Sequence, residues 1–275
     1  MTAHLQRGRI ISTLIELAHR YPPELREAQL RDVPRIAFHI NLALTAVGSP
    51  CGRTICDIGG GIGLFSLGCA ALGFARVILV DDFGDEINRQ VGQGILALHH
   101  KGGVEVISRD VIREGIGALD GPLDVVTSFD SMEHWHHSPK RLFRSLVSML
   151  NPHGHFILGV PNCANLRKRL AVLFGRASWS SMSDWYEAEV FRGHVREPGV
   201  NDLRYLAKDL GLGAVRILGR NWLGYRSQSS AVRLATAIFD RALRVRPSLC
   251  ADIYLLAART GAAFEAMPGQ SFNRH

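Results

Sequence analysis

The 275-residue chain has no Cys-x-x-Cys pair. Its five cysteines, Cys51, Cys56, Cys69, Cys163 and Cys250, are scattered and sit mostly among apolar neighbours. That spacing excludes a paired-cysteine zinc cluster and a redox dithiol, and reads as reduced packing residues of a cytoplasmic protein. No run of about eighteen apolar residues occurs, so no membrane span is expected. The start, Met1 to Arg9, is polar, so no signal peptide is expected. Aromatics make up only 8% of the chain and are not interleaved with basic residues, which weighs against a stacking platform for nucleic acid. There is no internal repeat or low-complexity tract. What remains is a composition, 47% hydrophobic and 21% charged, that suits an ordinary globular protein.

Charge is unevenly placed. The net charge is +7, and fifteen Lys/Arg face seven Asp/Glu between Pro161 and Cys250. A basic region of this kind favours an acidic substrate or an anionic membrane surface, or is simply a set of solvated faces.

The most informative stretch is Ile55-Cys56-Asp57-Ile58-Gly59-Gly60-Gly61-Ile62-Gly63. A short apolar run predicts a buried strand, glycines follow at once, and Leu64 to Leu72 predicts a helix. Glycine lets the backbone turn sharply and lets a ligand approach the main chain. A second strand ends in acids, Ile78-Leu79-Val80-Asp81-Asp82. Asp81 falls about twenty residues past the turn, where such folds place a carboxylate for ribose hydroxyls. The Gly-x-Gly-x-x-Gly of dinucleotide binders is not the pattern here.

At these residues the chain resembles the class I S-adenosylmethionine-dependent methyltransferases. Their first motif, acid-x-Gly-x-Gly-x-Gly, is matched by Asp57, Gly59, Gly61 and Gly63. The resemblance implies S-adenosyl-L-methionine as cofactor. It implies that Asp57 helps hold the ammonium group, directly or through water, and that Asp81 takes the ribose, with Asp82 as fallback or helix cap. Phe83, just beyond, would pack on adenine. Asp110, at the end of a third strand, would accept from the adenine amino group, with an exposed turn aspartate as the plain alternative.

The order of elements predicts an α/β chain: a Rossmann-like, doubly wound, mostly parallel seven-stranded sheet with an antiparallel last strand. Strands are expected near 53–57, 76–80, 104–108, 123–129, 155–160, 214–218 and 251–258. Helices are expected near 62–72, 84–99 and 139–150. Before them, residues 1–50 predict an N-terminal helical cap. One helix runs from Arg9 to His19 and stops at Tyr21-Pro22-Pro23. A second starts at Asp32-Val33-Pro34 and runs through Leu44. The methyltransferase domain is expected over 51–262, with a substrate-lid insertion at 162–200, and 263–275 reads as a disordered tail.

The fourth strand leads into Asp130-Ser131-Met132-Glu133-His134-Trp135-His136-His137. The resembling family shows Glu-His-apolar here, then a helix and Leu-x-Pro-x-Gly, matched by Leu150 to Gly154. Two mechanisms remain open. In one, a histidine, His134 first, takes a hydroxyl proton, with Glu133 and His194 beside it. In the other, Asp130, Glu133, His134 and His194 hold a divalent ion, a pattern similar to that of ubiquinone-pathway and small-RNA methyltransferases. Asp130 is one methylene shorter than the usual first Glu, so the expected site holds no metal.

Asn165 to Phe174 and Ser230 to Val245 read as basic amphipathic helices. Their expected place is on the sheet with arginines outward, the alternative being a membrane surface. Between them, Trp179, Trp185, Tyr186 and Phe191 lead to Arg192-Gly193-His194-Val195-Arg196-Glu197, similar to an acceptor-binding segment in glycan-pathway methyltransferases. The combined expectation is O-methylation of a small biosynthetic, glycan or lipid-linked acceptor by a cytoplasmic protein, with peripheral contact at the inner membrane face left open. The rivals are an RNA methyltransferase, a non-catalytic relative of the fold and a nicotinamide-binding protein.

Overall fold

The computed structural model describes residues 3–84, 86–176, 180–225 and 229–260. Trp179 and the expected tail at 263–275 lie outside these. The sheet is built from β1 (Thr54–Ile58), β2 (Arg76–Asp81), β3 (Val104–Ser108), β4 (Leu123–Phe129), β5 (Leu150–Pro161), β6 (Leu212–Arg220) and β7 (Asp252–Arg259). Their order is β3-β2-β1-β4-β5-β7-β6, parallel through β5, with β7 antiparallel to both its neighbours. This is the Rossmann-like arrangement that the alternation of strands and helices predicts.

The strands are apolar almost throughout because both faces are covered. Along β2, Val77 and Leu79 join one core cluster while Ile78 and Val80 join the other. That is the period of two expected of a strand. The first cluster lies under α1 (Ala3–Ala18), α2 (Pro23–Val47) and α3 (Leu64–Ala71). The second lies under α5 (Lys140–Met149) and α8 (Val200–Asp209), while α4 (Glu86–Lys101) connects β2 to β3.

The N-terminal helices differ from expectation in one respect. The second helix begins at Pro23, not at Asp32, and Pro34 lies inside it. Proline has its dihedral already set for the first helical position, so Pro23 starts the helix as readily as Pro22 ends the turn. An internal proline forfeits a helical hydrogen bond. Here Val33, Ile36, Ala37, Ile40 and Leu44 are buried along one stripe, and that packing carries the helix through. Asp32 does not cap; it pairs with Arg35 at 2.5 Å.

The fifth strand also starts early, at Leu150. Leu123 pairs with Leu150 but Val125 with His155, so 151–154 bulge out of the ladder. Asn151 in the bulge donates to Asp124 Oδ1 at 3.0 Å.

The largest departure concerns α6 (Leu166–Leu173) and α10 (Ser230–Leu243). Neither lays its apolar side on the sheet. No residue of α6 is buried, and in α10 the buried residue is Asp240. Between α6 and α8 lies α7 (Met182–Tyr186), also without a buried residue, and α9 (Trp222–Tyr225) precedes α10.

Candidate functional site

The parallel strands end together, and the expected site residues lie at that end. Gly59 has φ +68° and Gly61 φ +56°, a left-handed conformation that glycine adopts without strain. A Cβ on Gly59 would collide with Ser131, and one on Gly60 with the Asp57 carboxylate. At Gly61 a Cβ would meet only the Asp81 carboxylate, in ordinary van der Waals contact at 3.9 Å. Gly63 is the residue before α3 and has extended backbone.

Asp81 fastens this turn. Its Oδ2 accepts from the Gly61 N–H at 2.7 Å, and its Oδ1 accepts from Asp82 N–H at 2.7 Å. Asp82 Oδ1 accepts from Gly84 N–H at 3.1 Å, so Asp82 caps the local turn. Asp110 accepts from the N–H groups of Ile112 and Arg113, both at 3.2 Å. Asp81, Asp82 and Asp110 line one cavity with Gly59, of about 660 Å³. That volume is of the order a bound cofactor needs, roughly 300 to 1,000 Å³.

Asp57 sits elsewhere. It is 2% exposed and does not line the cavity. Its oxygens accept from Ser66 at 3.0 Å and Thr127 at 2.9 Å. Burial pushes its carboxyl up to about 7, against the pull of these two donors. The side chain therefore supports the glycine turn from below.

The N-terminal helices reach the same end. Tyr21, between α1 and α2, donates to Ile62 O at 2.8 Å. Arg35 of α2 pairs with Asp130, which has φ +51° just past β4. Sequence reasoning did not find Arg35. Nothing local marks it, since its partner lies 95 residues away.

The other wall of the cavity carries His134, Trp135, Phe191 and Arg192. Met132–His134 forms one 3-10 turn. The 191–197 segment is tied to it, because Val195 N–H donates to Glu133 O at 2.7 Å. This brings Glu133, His134 and His194 together, with ligand-capable atoms within 4.8 Å of one another. Asp130 is not in that group; it is held by Arg35. Of the four residues in the alternative metal reading, three are thus brought together.

The protonation of the trio follows from its contacts. His134 Nδ1 lies 3.0 Å from the Arg192 carbonyl. A carbonyl only accepts, so Nδ1 carries the proton and Nε2 keeps its lone pair. Burial, and then His194, lower the His134 pKa and keep the ring neutral. His194 Nδ1 bonds Glu197 Oε1 at 2.7 Å, which raises the His194 pKa in spite of burial. Burial opposes ionisation of Glu197, but His194 and Lys168 outweigh it and lower its pKa. Glu133 is 1% exposed, and burial raises its pKa. Among the described residues its Oε2 has no hydrogen-bond partner.

Three findings from other proteins bear on this arrangement. A family model described as a methyltransferase domain matches residues 10–217. No protein of curated function matches the sequence. Among solved structures, a SAM-dependent methyltransferase of Thermotoga maritima is 16% identical, with 90% of this chain and 100% of that chain covered and a TM-score of 0.54. The magnesium protoporphyrin IX methyltransferase of Synechocystis PCC 6803, with bound SAH, is 18% identical, covering 94% and 100%, TM-score 0.50. An S-adenosylmethionine-dependent methyltransferase of Mesorhizobium loti is also 18% identical, covering 83% and 98%, TM-score 0.50.

Proposed function

The chain belongs to the methyltransferase-domain family, and on that premise we propose that it methylates an oxygen atom of a small, glycan or lipid-linked acceptor, with His134 as general base. S-adenosylmethionine is the methyl donor; when bound it supplies an electrophilic methyl group on a sulfonium. The glycine turn and the acid-lined cavity suit it. In this reading Asp81 and Asp110 meet the nucleoside, the first at the ribose and the second at the adenine. Asp57 acts through the turn it supports.

One observation carries the oxygen assignment: His134 lines the cavity with its proton fixed on Nδ1, so that Nε2 can accept. A hydroxyl must lose its proton as its oxygen bonds to the methyl carbon and the carbon–sulfur bond breaks. His134 Nε2 takes that proton. Glu133 and His194 are positioning groups behind it, and His194, which lowers the His134 pKa, favours the neutral ring that can act as base. Trp135 and Phe191 wall the acceptor side, and Arg192 adds a cation there.

The same trio could ligate a divalent ion through three donors. Asp130, the fourth residue of that reading, does not join them, because Arg35 holds it. Acid–base work is the use that these contacts support.

The test has two parts. Methyl-labelled S-adenosylmethionine is incubated with the protein and a cell extract, with and without a chelator. Lipid, saccharide, RNA and small-molecule fractions are then separated, and the NMR shift of the labelled methyl group distinguishes O-methyl from N-methyl products. An N-methyl product, or label in RNA, overturns the reading; loss of label with chelator moves the trio to a metal role. Second, His134→Gln should keep cofactor affinity and lower turnover by about 100-fold. In the unsubstituted enzyme turnover should fall as the pH drops through the His134 pKa, which lies below the usual 6.5, because protonated imidazole cannot act as base. The variant should lack that acidic limb. Normal turnover in His134→Gln removes it from the mechanism.

A further inference from the structure

Helix α10 is packed with its polar side inward. Asp240, 1% exposed, accepts from Asn221 at 2.8 Å and Tyr225 at 3.2 Å and is paired with Arg244. The apolar residues one turn apart on the opposite side face solvent: Leu234 and Ile238, with Phe239 beside them, the last two 62% and 64% exposed. A helix that buries an ion pair and leaves leucine, isoleucine and phenylalanine in water is unfinished as it stands.

Helix α6 repeats the feature. Leu166, Leu170 and Leu173 share one stripe at helical spacing, continued by Phe174, and Leu173 and Phe174 are 77% and 80% exposed. The exposed Arg167 and Arg169 border that stripe on its two sides. Residues 164–176 contain no acid, and α10 carries the exposed Arg233 and Arg241. The two helices are also joined. Arg169 donates to Ser248 O at 3.1 Å, just past the end of α10.

Both helices leave the sheet at one end. Helix α6 follows Pro161, and α10 lies between Arg220 and Asp252. Asp252 pairs with both Arg220 and Pro161. That is the end where β1 and β4 deliver the glycine turn and His134.

We propose that α6 and α10 dock this protein on an anionic lipid bilayer, with their apolar stripes in the interface and the flanking arginines on the head groups. The stripes supply burial and the arginines supply charge complementarity, the two components of interfacial helix binding. A second copy of the chain fits less well, because a two-fold interface through this face would set arginines against arginines. The proposed face does not include the segment around α7, which is acidic, with Asp184, Glu187 and Glu189 exposed. Docked in this way, the cavity opens at the membrane side of the molecule, and an acceptor embedded in lipid is presented to His134. The docking itself does not depend on which atom is methylated.

The full-length protein is mixed with vesicles of phosphatidylcholine alone or with one-third phosphatidylglycerol, and bound protein is separated by flotation. Binding is expected on the anionic vesicles and should weaken as salt rises. Leu173→Asp with Phe239→Asp should lower the bound fraction at least tenfold, and so should Arg167→Glu with Arg241→Glu. Thermal melting and S-adenosylhomocysteine titration show that each variant is folded. No binding of the unsubstituted protein to anionic vesicles overturns the proposal. So does binding that both variants retain. A dimer by gel filtration that Leu173→Asp with Phe239→Asp disperses, without vesicle binding, assigns the face to a second copy instead.

Discussion

Helices α3 and α10 bury opposite kinds of residue. Leu64, Phe65, Leu67 and Cys69 of α3 are inside, and a Cβ on Gly68 would displace the end methyls of Leu14 and Ile40. In α10 Asp240 is inside, and Leu234, Ile238 and Phe239 are outside. The cofactor half of the molecule is thus completed by the chain itself. In the other half, α6 and α10 are held by polar contacts and offer their apolar sides outward. The former is a rigid holder; the latter is a surface whose partner comes from elsewhere.

The most direct way to break the comparison is to cut the anchor. Asp240 pairs with the buried Arg244 and its charge also acts on the buried Arg220, whose pKa burial lowers to about 10. Asp240→Ala removes the shared counter-charge and should cost about 3 kcal/mol of stability in a urea titration. S-adenosylhomocysteine affinity should hold, because the glycine turn is built between β1 and α3 and fastened by Asp81 of β2. Full stability in this variant would mean that α10 is held by something other than its polar side.

A smaller effect is expected on the cofactor side. Asp81→Ala takes the acceptor from Gly61 N–H and, in the proposed reading, from the ribose. Calorimetry should show S-adenosylhomocysteine binding about 30-fold weaker, the value of one or two hydrogen bonds to a charged group. Unchanged affinity would move the cofactor away from this turn.

The same contrast explains what was legible in the sequence. The glycine turn declares itself, because left-handed backbone and close contact demand glycine at fixed positions. Asp81 follows from the register of two parallel strands. The mostly parallel sheet follows from alternating elements and right-handed crossovers. The start of α2 was misread because proline normally marks a helix boundary, whereas buried contacts outweigh Pro34 here. The Arg35–Asp130 pair was illegible because it depends on how α2 crosses the end of β4. For α10 the error was one of premise. An amphipathic pattern says that a helix has an apolar side, and assigning that side to the core is an assumption. Asp240, Asn221 and Tyr225 reverse it through contacts that only the fold assembles.

The smallest expected effect sharpens the comparison most. Ile238→Ser removes a large apolar side chain from a helix, a change that costs several kcal/mol in a packed core. Ile238 is 62% exposed, so little burial is lost and serine weakens the helix only slightly. The change in urea-unfolding stability should stay within about 0.5 kcal/mol, as for surface positions generally. A cost of several kcal/mol at low protein concentration and without lipid would mean that Ile238 is buried within the monomer. A cost that appears only at high protein concentration would mean that a second copy covers it. A negligible cost at every concentration leaves an apolar side that the free protein does not use for its own stability, so its role must lie in an encounter with something outside the chain.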